Sequence, residues 1–279
     1  MLQFKHTGCI GDLIYFLPVV RYYGGGNLFL DTTELSVKKI DEPIIQYPIL
    51  NELDSSKVKY VRCGLDKDKF LSLKPLLEIQ DYVKSLNLWE GVVFSPIDCH
   101  NNVPFLIHVL PRKSKEKNLC HFFMDFHKVP LKEVEKPWIN TDYYYDNSDK
   151  IIISRSFRYR NPYFPWHYIC KKYRKNIFFI GNESEHEDFC KNFGHVKYIK
   201  TKNFLEVARN IANCHIFIGN QSACYALAES MKINTIQETS LEVPDCLFER
   251  HNAEYFISYN KRNHEIENCK NLFPCKVWL

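Results

Sequence analysis

Apolar and polar positions along the chain alternate between two periods. "LQFKH", residues 2–6, has the two-residue rhythm of a strand, and "DLIYFLPVVRYY", residues 12–23, reads as a helix that Pro18 should kink or break. "GGGNLF" then turns sharply into a second strand, "NLFLD". "VKYVRC" reads as a third strand, and "LKPLLEIQDYVKSL" as a helix with apolar residues at 76, 79, 83 and 86. From about 92 to 137 the pattern is ambiguous: "VPFLIHVLP" and "LCHFFMDFHKV" each fit helix or strand. "KPWINTDYYYDNSDK" is polar and turn-rich and reads as a link between two halves. After it the rhythm is regular. "KIIISRS", "NIFFIGNE", "VKYIK", "HIFIG" and "NTIQE" are strands. "NPYFPWHYICKKYR", "EHEDFCKNF", "NFLEVARNIANC" and "QSACYALAESMK" are the helices between them. In "NFLEVARNIANC" residues 204, 205, 207, 208, 211 and 212 form one apolar face.

Strand and helix alternating in this way give a parallel sheet covered on both faces. The fold class expected is therefore α/β with two Rossmann-like domains facing a cleft. The first would span residues 1–145 and the second 146–279, with the last helix packing back on the first.

Open parallel sheets bind ligands at the carboxyl ends of their strands. Helix N-termini there present free N–H groups and partial positive charge to phosphate. Four such corners stand out. Gly8, Gly11 and Asp12 lie between the first strand and helix; they form either a tight corner with a first-turn charge or a ligand site. Gly219, Asn220, Gln221 and Ser222 form either an ordinary helix cap or a diphosphate cradle. Ser154, Arg155, Ser156, Arg158 and Arg160 follow "KIII"; they form either a solvated basic loop or, if the loop is extended, a row of alternating arginines pointing at one anion. Gly181, Asn182 and Glu185 form either a capped acidic helix turn or a ribose-binding carboxylate site.

Composition narrows the classes. The 279 residues are 45% hydrophobic and 25% charged, enough to bury a core. Aromatics reach 15%, read as core and surface Phe and Tyr or as stacking platforms. The net charge of +4 is too mild to argue for nucleic acid by itself. Eleven cysteines are scattered without any C-x-x-C pair, so zinc spacing is absent and a cytoplasmic setting is expected. No signal peptide and no transmembrane segment is read. No P-loop, no full G-x-G-x-x-G and no G-x-S-x-G elbow occurs. Asp66 and Asp68 in "LDKDKF" sit among lysines and read as a solvated loop.

The residues of "GCIGDLIYFLPVVR" resemble the N-terminal G-x-x-G-D motif of glycosyltransferase family 9, the heptosyltransferase-like enzymes. "IANCHIFIGNQSACYALAESMKINTIQ" resembles that family's C-terminal stretch, and "PWI" before the link matches a position common in distant members. The resemblance covers both ends and the second half, and residues 35–130 poorly. It departs at Ala223, where the family has Gly, and at Tyr225, where it has His.

The resemblance implies the GT-B fold and an inverting, metal-independent sugar transfer. A nucleotide-sugar donor would be co-substrate, with no cofactor and no metal. It implies that Asp12 is the catalytic base and that Asn220, Gln221 and Ser222 hold the donor diphosphate. A glycan or lipid-linked saccharide is the expected acceptor. A hydroxymethylated DNA base is the alternative, and a non-catalytic nucleotide-sugar-binding protein the second alternative.

Overall fold

A computed structural model describes residues 1–6, 9–32, 65–90, 97–98, 118–142, 149–240, 246–248 and 250–256. The expected strand "VKYVRC", the segment "VPFLIHVLP" and the end of the chain after residue 256 lie outside these residues, as does Gly8.

Two parallel sheets carry the fold. The first has the order β3-β2-β1-β4, from β1 (Leu2–His6), β2 (Gly26–Leu30), β3 (Val83–Leu88) and β4 (Ile97–Asp98). The second has the order β10-β9-β8-β5-β6-β7. Its strands are β5 (Ile151–Ser154), β6 (Ile177–Phe179), β7 (Lys197–Tyr198), β8 (Ile216–Asn220), β9 (Thr235–Glu238) and β10 (Ala253–Phe256). Every pairing in it is parallel. The helices are α1 (Ile10–Tyr22), α2 (Lys67–Glu78), α3 (Leu119–Phe126), α4 (Trp166–Lys172), α5 (Glu183–Phe193), α6 (Phe204–Ala212) and α7 (Ala223–Ser230). The α/β class with parallel sheets is as expected.

β5 is buried along its whole length, which is why Ile151, Ile152 and Ile153 form a continuous apolar run rather than an alternating one. Ile151 and Ile153 face a core completed by Trp166 of α4 and Phe189 of α5. Ile152 faces the other way, into a core shared with α1, α2, α6 and α7. Hydrophobic packing is thus continuous from the first sheet to one face of the second. The apolar face of α6 is buried as its spacing predicts, and it packs on α2.

Three local readings change. α1 does not break at Pro18 but runs on to Tyr22. Proline removes the N–H that would bond the carbonyl four residues back, Ile14. The buried Trp138 indole N–H donates to that carbonyl instead, at 2.9 Å. The single helix expected over "LKPLLEIQDYVKSL" is the end of α2, a turn, and then β3. Val83 and Leu86 are therefore strand positions; β3 completes hydrogen bonding along β2, a tertiary demand that periodicity does not carry. Asp66 is solvated as read but belongs to a helix start rather than a loop: its carboxylate caps α2 by accepting from the Lys69 N–H at 2.8 Å. The ambiguous "LCHFFMDFHKV" is helical, as α3.

The polar segment before the second half is firmly seated where it is described. The Gln80 side chain exchanges two hydrogen bonds with the Asn140 backbone, at 2.8 and 2.9 Å. The Trp138 N–H donates to Ser230 at the end of α7.

Candidate active site at the junction of the two sheets

The N-termini of α1 and α7 meet side by side. A Cβ built on Gly11 would lie 3.9 Å from the Ala223 Cα, in ordinary contact. The first turns of α1 and α7 are therefore neighbours, with room for a Cβ at Gly11.

Asp12 sits in that turn. Its carboxylate accepts from the Cys9 N–H, at the N-cap of α1, at 3.3 Å. Burial pushes its pKa up to about 6, against the pull of the Cys9 N–H and of the Arg158 guanidinium. The capping reading of Asp12 holds, and its raised pKa leaves the carboxyl able to exchange a proton near neutral pH. Just before it, the buried His6 ring places Nε2 3.2 Å from the Cys9 carbonyl oxygen.

Arg158 comes from the other half, in the loop after β5. Its Nη1 is 4.0 Å from the Cys9 sulfur, and its plane lies over the Tyr159 ring. Its charge acts on Asp12 and also on Glu185 in the first turn of α5. Burial raises the Glu185 pKa while Arg160 and Arg158 draw it down. One Glu185 oxygen caps α5 by accepting from the Asn182 N–H at 3.0 Å. Gly181, with φ +149°, turns the chain beside it; a Cβ there would lie 3.0 Å from Glu185 Oε2.

The three arginines expected to share one anion diverge, because the loop is not extended: Tyr159 has φ +56°. Arg160 binds Asp188 at 2.7 Å. Arg155 turns inward to a bidentate pair with Glu238, with both N–O distances at 2.8 Å. Glu238 is wholly buried and also accepts from the Asn161 N–H and the Trp166 indole. This pair anchors the base of the loop, and only Arg158 of the three reaches Asp12.

The corner at residues 219–222 also divides. Gly219 is required by packing: a Cβ would stand 2.6 Å from the Ser154 carbonyl oxygen on β5. Gln221 is buried and its side-chain oxygen accepts from the Ser240 N–H at 3.0 Å. Asn220 is buried against the loop of Ser156 and Arg158. Ser222 and Ala223 are half-buried, at the N-terminus of α7 beside Gly11. Ser154 is buried, its hydroxyl held by the Cys224 thiol.

The structure thus brings together Gly11, Asp12, Arg158, Ser222 and, through Arg158, Glu185. Cys9 and Glu238 are not singled out by the sequence. Cys9 precedes the helix turn that carries Asp12, and Glu238 ends a buried strand at the carboxyl edge of the sheet. Those positions were the available signal. Among the described residues no group of three or more His, Cys, Asp or Glu is arranged to hold a metal ion. No helix among them is long and apolar enough to cross a membrane.

No protein-family model matches the chain, and no curated protein matches it in sequence. Solved structures do. The E. coli heptosyltransferase WaaC with ADP superposes with a TM-score of 0.54 at 9% identity, covering 98% of each chain. The same enzyme with ADP-2-deoxy-2-fluoro heptose gives 0.53 at 10% identity, covering 96% of each. A family 9 glycosyl transferase from Veillonella parvula DSM 2008 gives 0.48 at 10% identity, over 97% of this chain and 89% of that one. At such identity the likeness to WaaC is one of fold. The chain has the heptosyltransferase-like GT-B architecture that its two terminal motifs resemble.

Proposed function

We propose that the protein transfers a sugar from a nucleotide-sugar donor to an acceptor hydroxyl, by a single inverting displacement that uses no metal. The observation that carries this reading is the meeting of Arg158 and the Asp12 turn across the junction of the two sheets: the Arg158 guanidinium lies 4.0 Å from the sulfur of Cys9, whose N–H donates to the Asp12 carboxylate, and the Asp12 pKa is raised to about 6. A carboxylate with a pKa near neutrality is ionised at pH 7 and basic enough to take a hydroxyl proton in the transition state.

The acceptor oxygen would attack the anomeric carbon as Asp12 removes its proton. The bond from that carbon to the diphosphate breaks on the opposite face, so configuration inverts. Negative charge grows on the leaving diphosphate. Arg158 and the N–H groups opening α7 at Ser222 and Ala223 supply fixed positive potential for it. The WaaC structures whose fold this chain shares hold ADP and an ADP-heptose analogue. They support an adenine nucleotide-sugar as the first donor to try. A glycan or lipid-linked saccharide is the proposed acceptor.

The test is a thermal-shift panel of nucleotide-sugars led by ADP-heptose, followed by donor turnover in wild type and Asp12→Asn. A bound donor stabilises the fold by mass action. The variant should keep donor binding and lose turnover by roughly 10²–10⁴-fold. A panel without any shift, or full turnover by Asp12→Asn, sinks the proposal.

A further inference from the structure

We infer that Asn220 is a positioning residue: its carboxamide holds the Ser156–Arg158 turn so that Arg158 stands against Asp12, and it does not touch the donor. The inference rests on the proposed function only in taking Arg158 and Asp12 as the reacting pair.

Both N–H donors of the Asn220 side chain, and its oxygen, are engaged inside this loop. Its oxygen accepts from the Ser156 N–H at 2.9 Å. Its two N–H groups donate to the Ser156 carbonyl, at 3.1 Å, and to the Arg158 carbonyl. A carboxamide has two N–H donors, so neither remains for a diphosphate oxygen. The residue is also wholly buried. The donor-binding role implied by the family resemblance at this position therefore passes to its neighbour Ser222, at the helix start.

The turn needs such a clamp. Tyr159, directly after Arg158, has φ +56°, a region that a side chain with a Cβ adopts only at a cost. The Ser156 hydroxyl adds a bond to the Arg158 carbonyl at 3.2 Å. With its carbonyl fixed from two sides, Arg158 is aimed toward the N-cap of α1. Its guanidinium is the charge that reaches Asp12 from outside α1, and the Cys9 N–H is the partner from within it. His6 lies behind Cys9, while Glu185 competes for Arg158 from α5 and is itself steadied by Arg160.

The test follows the titration of the Asp12 carboxyl by carbon NMR in wild type, Arg158→Ala and Asn220→Ala, without donor. Arg158→Ala should raise the Asp12 pKa, because an attracting cation has gone. Asn220→Ala should raise it in the same direction, by at least about half a pH unit. Ser156→Ala, at a half-buried position, should give a smaller rise and serves if Asn220→Ala does not fold. If Arg158→Ala moves the titration and the Asn220 or Ser156 variant leaves it unchanged, the positioning role is overturned. It is equally overturned if Arg158→Ala itself has no effect.

Donor affinity gives the second arm. Once Arg158 is alanine, removing the Asn220 carboxamide should change donor affinity by less than about twofold, since the two act as one unit. An additive loss would instead make Asn220 a direct donor contact. The titration arm needs no donor, so a failure of the sugar-transfer reading leaves it standing as a separate result.

Discussion

Asp12→Asn should stabilise the protein at neutral and alkaline pH while disabling it. Burial raises the folded-state pKa of Asp12 from 3.8 to about 6. The folded protein thus holds the Asp12 proton more tightly than the unfolded chain does. Between those two values the folded state binds more protons, so stability falls as pH rises through the interval and is level above it. At about 1.36 kcal/mol per pKa unit, ionised Asp12 should cost the fold up to about 3 kcal/mol above pH 6. Asparagine approximates the protonated acid, and its oxygen can still accept from the Cys9 N–H that Asp12 now caps. The assay is urea unfolding of both proteins at about pH 4 and about pH 8, taking the difference of differences so that every other titrating group cancels. The two should agree closely at the acid value. The variant should gain up to about 3 kcal/mol at the alkaline one. A gap that does not widen with pH, or an asparagine variant less stable near pH 8, would refute the assignment of Asp12 as a carboxylate strained by burial. A gain in stability paired with a loss of turnover is the signature of a group placed for chemistry rather than for folding.

Glu238→Ala should cost about 3–5 kcal/mol in urea unfolding, because it leaves the Arg155 guanidinium buried without its counter-charge. A loss below about 1 kcal/mol would show that the pair does not anchor the loop. Gly11→Ala and Gly219→Ala should separate cleanly in thermal melts. The first places its methyl 3.9 Å from Ala223 and should be mild, whereas the second meets the Ser154 carbonyl oxygen at 2.6 Å and should lower Tm by several degrees or more; equal Tm values would contradict the packing at Gly219. Iodoacetamide followed by peptide mass spectrometry should label Cys9 before Cys214 and Cys224. Cys9 is half-buried beside Arg158, while burial pushes the other two thiols up to about 12; earlier labelling of Cys224 would contradict this order.

The sequence alone determined the parallel α/β class and most elements of the second half. Periodicity and turn residues are local signals, and a strand buried on both faces, such as that of Ile151, Ile152 and Ile153, announces itself by composition. It also located the strand-end corners, since strand ends followed by Gly, Asn, Ser or Asp can be read off the chain. Asp12 was legible for this reason.

What each corner residue does was decided by tertiary structure. Arg155, Arg158 and Arg160 look alike in sequence. The left-handed turn at Tyr159 and the buried partner Glu238, eighty-three residues from Arg155, send them in three directions. Gly219, Asn220 and Ser222 read as one cradle. Contact with Ser154 claims the first, the Ser156–Arg158 turn holds the second, and Ser222 caps α7, its hydroxyl oxygen accepting from the Tyr225 N–H at 3.4 Å. Pro18 reads as a break, yet the helix continues because Trp138 satisfies the carbonyl that Pro18 cannot. In each case the deciding partner is remote in sequence. Hydrogen-bond saturation and steric room are properties of a three-dimensional neighbourhood, which no local pattern encodes.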